Sequence, residues 1–345
     1  MSETSDLILK QVRTGGLLSE GRPVVVLLSG GRDSTCLLDL AVRIAGASAV
    51  GALHVNYGLR DAADADEHHC SVLCERLGVQ IETRHPRRPE AGNLQAWARD
   101  ARYGAAAQIA AARGADVAAG HTATDQVETI LYRMASSPSR RALLGMRARE
   151  GLLVRPLLGF TRAQTAAYCE ERRLEWREDE TNSSDAFARG RIRSSLVPAL
   201  AAVHPAAVEN VLALAQTLRD EAEVLDALVD EILQGRDQIE LARLRALAPA
   251  LRRLVVQRLA DRAAGRPAPG AARRSDEIAA LADRGTAALD LPHGVRAVAR
   301  DGTVRFERTP PLAAARLEKN WGAQGEARPD DAAAGEQASG RAPIN

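Results

Sequence analysis

The chain has 345 residues, of which 46% are hydrophobic, and its formal net charge is +1. That length and apolar content suffice for two domains with buried cores. No run of eighteen apolar residues occurs, and the start MSETSDLILKQVRTGG has no basic stretch followed by an apolar one, so composition argues against membrane insertion and secretion and points to the cytoplasm.

Cys36, Cys70, Cys74 and Cys169 show no spacing suited to a disulfide framework or zinc site and read as reduced thiols. Lysine occurs only at Lys10 and Lys319. Arginine therefore carries nearly all positive charge, which suits planar contacts with phosphates and bases and equally fits an arginine- and alanine-biased composition.

In chain order, 23–28, 49–56, 79–84, 115–121 and 152–158 read as buried strands. Between the first two, Leu37, Leu40, Ala41 and Ile44 recur at helical spacing, closed by Gly46. Strand, helix, strand in repetition implies an α/β fold with a parallel sheet covered on both faces, and ligands at the carboxyl ends of its strands. Thr161 and Gln164 form a candidate capping box opening a helix to about Arg173, followed by a polar loop over 178–185 and an arginine-rich helix from about Phe187.

From Pro205 to Leu233, a stripe of Val208, Val211, Ala215, Leu218, Ala222, Leu225, Val229 and Ile232 alternates spacings of three and four. It suits either a homodimer seam or a linker helix packed on its own chain. Beyond it, a helix over 247–264, an Arg/Pro/Gly-rich turn, a helix near 276–283 and a hairpin over 294–307 turning at Asp301-Gly302 make a small helical and α+β domain. The expected organisation is a catalytic domain over 20–200, a linker helix over 205–234, a small C-terminal domain over 236–310 and a disordered tail over 322–345. Residues 236–274 hold ten arginines against Asp237, Glu240 and Asp261, a candidate footprint for a phosphate backbone.

The stretch VVVLLSGGRDST, residues 24–35, ends a strand in Ser29, Gly30, Gly31, Arg32, Asp33 and Ser34 just before a helix. Glycine lets the backbone approach an anion, the serines supply hydroxyls, and the helix start adds unpaired N–H groups and the positive end of its dipole. This is a phosphate cradle. It is neither G-x-x-x-x-G-K-[ST] nor G-x-G-x-x-G. The order S-G-G-x-D-S resembles the pyrophosphate loop of ATP pyrophosphatases, which adenylate an oxygen and let a nucleophile displace AMP. That resemblance implies ATP as co-substrate, with Asp33 helping to hold Mg²⁺.

Four further stretches, HVNYGLR (54–60), NLQAWARDARY (93–103), GHTATDQVET (120–129) and EDETNSSDAFARGRIRSSLVPAL (178–200), resemble in order and spacing the tRNA(Ile)-lysidine synthetases. The resemblance covers roughly residues 20–310. It implies attachment of L-lysine to the wobble cytidine of an isoleucine tRNA bearing a CAU anticodon. Three departures stand out: Tyr57 where the family usually has histidine, Arg189-Gly190 where it has Arg-Asn, and ASSPSRRALLG, 135–145, where it has a glycine-rich loop.

The residues themselves are compatible with that chemistry. Asp125 and Glu128 lie three apart at a helix start and share one face, a pair able to receive an ammonium, although acidic residues also simply match a helix N-terminus. Either the pair grips the α-amino end of lysine, or one carboxylate deprotonates the ε-amine as general base. Arg99, with Arg102 and Arg133, is a candidate for orienting phosphates, and Arg189, Arg191 and Arg193 for meeting substrate or RNA backbone. His68, His69, Cys70 and Cys74 suggest metal ligands, but Cys70, Leu73, Cys74 and Leu77 form one apolar helical stripe, which favours a core role.

Three other functions compete. A cytidine thiolase of the same superfamily is expected to carry C-x-x-C pairs for an iron–sulfur cluster, and this sequence has none. An amide-forming ATP pyrophosphatase acting on a small metabolite is expected to carry a glutamine-hydrolysing domain or a lid. A non-catalytic ATP sensor needs only the cradle, not Asp33, Asp125 and Glu128.

Overall fold

The computed structural model describes residues 3–59, 61–137, 139–177 and 188–309. Two compact units divide at Val224/Leu225, inside a long helix. The polar loop expected over 178–185 and the tail from 322 lie outside the described residues.

The first unit is built on a sheet in the order β3-β2-β1-β4-β6-β5. Strands β1 (Val24–Leu27), β2 (Val50–Val55), β3 (Gln80–Arg84), β4 (Asp116–Ala118) and β6 (Leu153–Val154) run parallel, and β5 (Arg149–Glu150) pairs antiparallel to β6. The five strands expected from the sequence are present, and β6 is shorter than its apolar run. The two-residue β5 was not anticipated: its Arg149 is placed by a bidentate pair with the buried Asp116, at 2.8 and 2.9 Å, rather than by any apolar periodicity.

Side chains alternate along β1. Val24, Val26 and Leu28 enter one core with Leu37, Leu40 and Ala41 of α2 (Arg32–Ala45) and Cys70, Leu73 and Cys74 of α3 (Ala63–Leu77). Val25 and Leu27 enter a second core with Ala106, Ile109 and Ala110 of α4 (Leu94–Arg113). Both faces of β1 are thus covered, which is why it reads as a continuous apolar run; β3, expected to be buried, is an edge strand whose Gln80 and Arg84 are exposed and whose middle is half-buried. The cysteines do occupy the apolar stripe of α3. Helix α1 (Glu3–Thr14) also buries Ile8 and Val12 in the first core, and Ser5 N–H donates to Glu171 Oε2 at 2.8 Å, so the packed unit begins upstream of residue 20.

Helix α5 (Ala123–Ser136) follows β4, and α6 (Arg162–Glu171) opens at the expected capping box, Thr161 with Gln164. Tyr168 donates to Asp39 Oδ2 at 2.5 Å and Arg172 Nε lies 3.2 Å from the same oxygen, which fastens α6 to α2. The arginine-rich segment forms α7 (Ala188–Arg191), one π-helical turn (Ile192–Leu196) and α8 (Val197–Val203).

The long helix is α9 (Ala207–Leu233). Its stripe is spent on its own chain: Val208 and Val211 pack with Val127, Leu131 and Ile192 in the first unit, and Val229 and Leu233 enter the core of the second. That is the linker pattern rather than a free dimer seam.

In the second unit a sheet in the order β7-β10-β9-β8 joins β7 (Gln238–Glu240), β8 (Thr286–Leu291), β9 (Val295–Arg300) and β10 (Thr303–Arg308), all antiparallel. The hairpin turns at Asp301 (φ 48°) and Gly302 (φ 78°), the two positive φ values of a type I′ turn. Helices α10 (Leu241–Ala246), α11 (Pro249–Ala264) and α12 (Ser275–Ala279) cover it, with Leu241, Leu244, Val255, Val256 and Leu259 in the core. The sequence reading missed β7 and β8. One is only three residues long, and the other, TAALDL, has a single β-branched residue and no aromatic one.

Candidate active site

Chain order in the first sheet reverses between β1 and β4, and crevices at such switch points are where open α/β sheets bind ligands. The loop over 29–34 leaves β1 there. Gly30 takes φ +83°, and a Cβ on it would stand 3.2 Å from Cys70 Sγ, so both conformation and packing call for glycine. Ser34 Oγ donates to Gly31 O at 2.8 Å, lies 3.1 Å from Ser29 Oγ and accepts from Ser29 N–H at 3.2 Å, which folds the loop back on itself. No side chain caps α2, so its first N–H groups remain available to a ligand. Arg177 N–H donates to Gly30 O at 2.9 Å and braces the loop from outside.

The loop opens on a cavity of about 1050 Å³ lined by Ser29, Gly31, Arg32, Asp33 and Ser34, the ends of β1 and β2, and Gly120 and His121 after β4. This is at the upper limit of small-molecule sites, roughly 300–1,000 Å³. Gly120 packs directly on the loop: a Cβ there would lie 3.1 Å from the carbonyl carbon and oxygen of Asp33 and from Ser34 N.

Asp33 lies on the rim. Thr165 Oγ1 donates to its Oδ1 at 2.5 Å, and Arg162 Nε lies 3.7 Å from its Oδ2. Asp125 is the N3 residue of a capping box: its Oδ2 accepts from Thr122 N–H and Thr122 Oγ1, both at 2.8 Å. Asp125 therefore caps α5 and also lines the cavity, whereas Glu128 is not among the lining residues. Arg162 Nη2 meets its Oδ1 at 2.7 Å. Glu128, buried, takes Arg193 in a bidentate pair at 2.7 and 2.9 Å and Arg162 at 3.6 Å. The two carboxylates are held by two arginines. Burial alone would raise the Asp125 carboxyl, but Arg162, the Thr122 hydrogen bonds and His121 together hold it below the ordinary carboxylate range.

Arg102 lines the cavity, whereas Arg99 stands one helical turn before Tyr103, its guanidinium 4.9 Å from that ring's centre, outside the lining. Arg133 instead donates to Gly145 O at 2.6 Å. Burial first, then nearby Arg189, Arg155 and Arg99, push Arg133 below the usual guanidinium value despite Glu150. Three buried polar atoms of the cavity lining, Arg102 Nε, Tyr103 Oη and His121 Nδ1, have no partner among the described residues. Unpaired buried groups are costly, so convergence of three in one cavity marks a ligand site. Burial, reinforced by Arg155, Arg102 and Arg99 and opposed by Asp125, lowers His121 to about 4 and keeps its ring neutral near pH 7.

The departure at 135–145 is an ordered turn where described. Gln126 grips it through both amide ends, Nε2 to Met146 O at 2.8 Å and Oε1 from Met146 N–H at 2.6 Å, and Arg219 donates to Leu144 O at 2.8 Å.

In the second unit, five of the ten arginines counted from sequence, Arg245, Arg252, Arg258, Arg262 and Arg274, are ion-paired, mainly to Asp226, Asp230, Asp276, Glu277 and Asp283. Those acids lie outside the counted window. Arg236, Arg243, Arg253, Arg266 and Arg273 are exposed and make no ion pair among the described residues, so the basic footprint is half the size the window suggests.

Sequence reasoning missed Arg162, Thr165, Tyr103 and His121 as site residues. The signal for the first two was present: Arg162, Thr165, Cys169 and Arg172 follow one face of α6 behind a recognisable cap, and that face meets Asp33, the Arg32 carbonyl and Asp39.

A family model for the PP-loop domain matches residues 3–200. The fold also resembles the U34-tRNA thiolase NcsA from Methanococcus maripaludis, with a TM-score of 0.53 and 16% identity over 62% of this chain and 78% of that one. The fold and the loop thus make this a PP-loop protein. Among curated relatives, a tRNA(Ile)-lysidine synthase from Solibacter usitatus is 38% identical over 72% of this chain and 59% of its own length. One from Symbiobacterium thermophilum is 35% identical over 92% of this chain and 72% of its own length. The chain belongs to the tRNA(Ile)-lysidine synthase family and spans 59% and 72% of the length of these two relatives.

Proposed function

We propose that the chain ligates L-lysine to ring position two of the wobble cytidine of an isoleucine tRNA with a CAU anticodon, consuming ATP and releasing AMP and pyrophosphate. The observation that carries this reading is that one cavity contains both an uncapped helix start behind an S-G-G-x-D-S loop and, facing it, the Asp125 carboxylate with its arginine partners. Phosphates of ATP lie on Ser29, Gly30, Gly31, Arg32, Asp33 and Ser34. The cytosine carbonyl oxygen attacks the α-phosphate and pyrophosphate departs. The neutral lysine amine then attacks the adenylated carbon, AMP leaves with the oxygen, and the amine gives up a proton.

Asp33, at the cradle and lining the cavity, is the residue that would hold Mg²⁺. The chemistry such an ion would supply is neutralisation of charge on the departing pyrophosphate. The lowered pKa of Asp125 makes it a weak base, which favours the ammonium-anchor role over that of general base. Arg102 and the neutral His121 offer hydrogen bonds to the reacting groups, with Arg99 supporting them through Tyr103. In this reading the second unit, Arg189 and Arg191 serve the tRNA, Arg193 is committed to Glu128, and the expected compartment is the cytoplasm. Among the described residues no single helix is long and apolar enough to cross a membrane.

Within the superfamily the thiolase reading is disfavoured, because all four cysteines are buried in the packed core and none lines the cavity. The Asp33→Ala variant, assayed at saturating Mg²⁺, tests the nucleotide end: the expected loss in kcat is about 10²- to 10³-fold, and full activity would remove Asp33 from the proposed site.

A further inference from the structure

Arg162 spans the two ends of the cavity. Its Nε lies 3.7 Å from Asp33 Oδ2, its Nη2 2.7 Å from Asp125 Oδ1 and its Nη1 3.6 Å from Glu128 Oε1. The side chain lines the cavity and is 23% exposed, so it can move without disturbing the core. Its partners differ in how much they depend on it. Glu128 keeps the bidentate Arg193 whatever Arg162 does. Asp125 has Arg162 as its close cation, with Arg193 only at 4.0 Å. An ammonium that comes to Asp125 therefore competes with Arg162 for Oδ1. A displaced guanidinium rooted at the first turn of α6 has Asp33 still within reach, together with whatever phosphates lie over the loop.

We infer that Arg162 is a shared counter-ion coupling the amine and nucleotide subsites: an ammonium taking Asp125 releases the guanidinium toward Asp33 and the phosphates, so each substrate tightens binding of the other. This rests on the function proposed above. Arginine suits the role because its fork directs separate N–H groups at separate oxygens, whereas a lysine presents a single compact charge. The coupling is reciprocal by thermodynamic necessity, and linked sites typically show factors of about 5- to 150-fold. Arg162 is a positioning residue here, since it acts through the carboxylates and phosphates that meet the reactants.

The test uses the full chain, Mg²⁺ and α,β-methylene-ATP, with calorimetric titration in the presence and absence of saturating L-lysine. The wild type should bind the analogue at least fivefold more tightly with lysine present, at the low end of about 5–150-fold. In Arg162→Ala, lysine alone should bind as tightly as in the wild type or tighter, because its competitor is gone, while the effect of lysine on the analogue should fall below about twofold. Arg162→Lys should restore part of the coupling. A purely structural arginine would weaken both ligands together, so weaker lysine binding in Arg162→Ala, or undiminished coupling, overturns the inference. Wild-type protein that forms lysidine yet binds the analogue equally with and without lysine overturns it and leaves the proposed function standing. Protein that neither binds lysine nor forms lysidine sinks both.

Discussion

Arg193 and Glu128 meet edge to edge across 65 residues of sequence, Nε to Oε1 at 2.7 Å and Nη2 to Oε2 at 2.9 Å, with the carboxylate 3% exposed and the guanidinium 29% exposed. The pair joins the π-helical turn after α7 to the first turns of α5. Removing one partner of a buried pair costs about 3–5 kcal/mol, and since Arg162 remains near Glu128 and Arg193 is partly solvated, Arg193→Ala should cost about 2 kcal/mol. Adding Glu128→Gln to Arg193→Ala should recover much of that loss. Urea unfolding midpoints of the two variants check both statements, and additive losses would contradict the pairing.

His121 sets a pH dependence of stability. Its folded value of about 4 lies below the unfolded value of about 6.5, so between the two the unfolded chain binds a proton that the folded chain refuses. The stabilisation is fully present above pH 6.5 and is lost as pH falls toward 4, amounting to about 3 kcal/mol at most. His121→Asn should flatten the stability profile in that window. Asp125, whose carboxyl is depressed, acts lower: its contribution is present above the ordinary carboxylate range and is lost as pH falls through its folded value. An unchanged profile in His121→Asn would show that the ring is not held neutral by its surroundings.

Gly120→Ala should separate nucleotide binding from folding. Its Cβ would press on backbone atoms of Asp33 and Ser34 at 3.1 Å, and backbone at a helix start cannot rotate aside as a side chain would. Overpacking of this kind costs about 1–3 kcal/mol. The displaced loop should weaken ATP binding at least tenfold, as read by fluorescent-nucleotide titration, with helical content by circular dichroism unchanged.

The parallel sheet was legible because its central strands β1 and β2 are buried and appear as apolar runs, and because Gly46 and the Thr161 cap punctuate the helices. The cradle was legible because Gly30 and Ser34 meet backbone demands that few other residues satisfy. The β5 strand, β7 and β8 were not, since side-chain pairing and neighbours in the sheet, not periodicity, hold them in place. Arg162, and the pairing of Arg193 with Glu128, escaped for a related reason. An arginine belongs to a site through the carboxylates it meets, and those lie 37 and 65 residues away. The ten-arginine window misled in the same way, because its neutralising acids were near in space and outside it in sequence.

Arg140 and Arg141 stand on the ordered 139–146 turn where the family resemblance predicts glycines. Under the function proposed above, these two arginines are candidates for contact with RNA phosphates. The Arg140→Ala/Arg141→Ala variant should raise the KM for tRNA and reduce the salt dependence of tRNA binding by about one to two ions released, with the KM for ATP unchanged. An unaltered salt slope would assign the turn a purely structural role.

The most direct measurement incubates the purified chain with Mg-ATP, radiolabelled L-lysine and an isoleucine tRNA transcript bearing the CAU anticodon, beside methionine tRNA with the same anticodon, and scores acid-precipitable label and AMP. Label on the isoleucine tRNA alone, matched by an equal amount of AMP, is the predicted result. AMP release without label on the RNA would contradict lysine as the nucleophile, and label on both tRNAs would contradict the proposed substrate specificity.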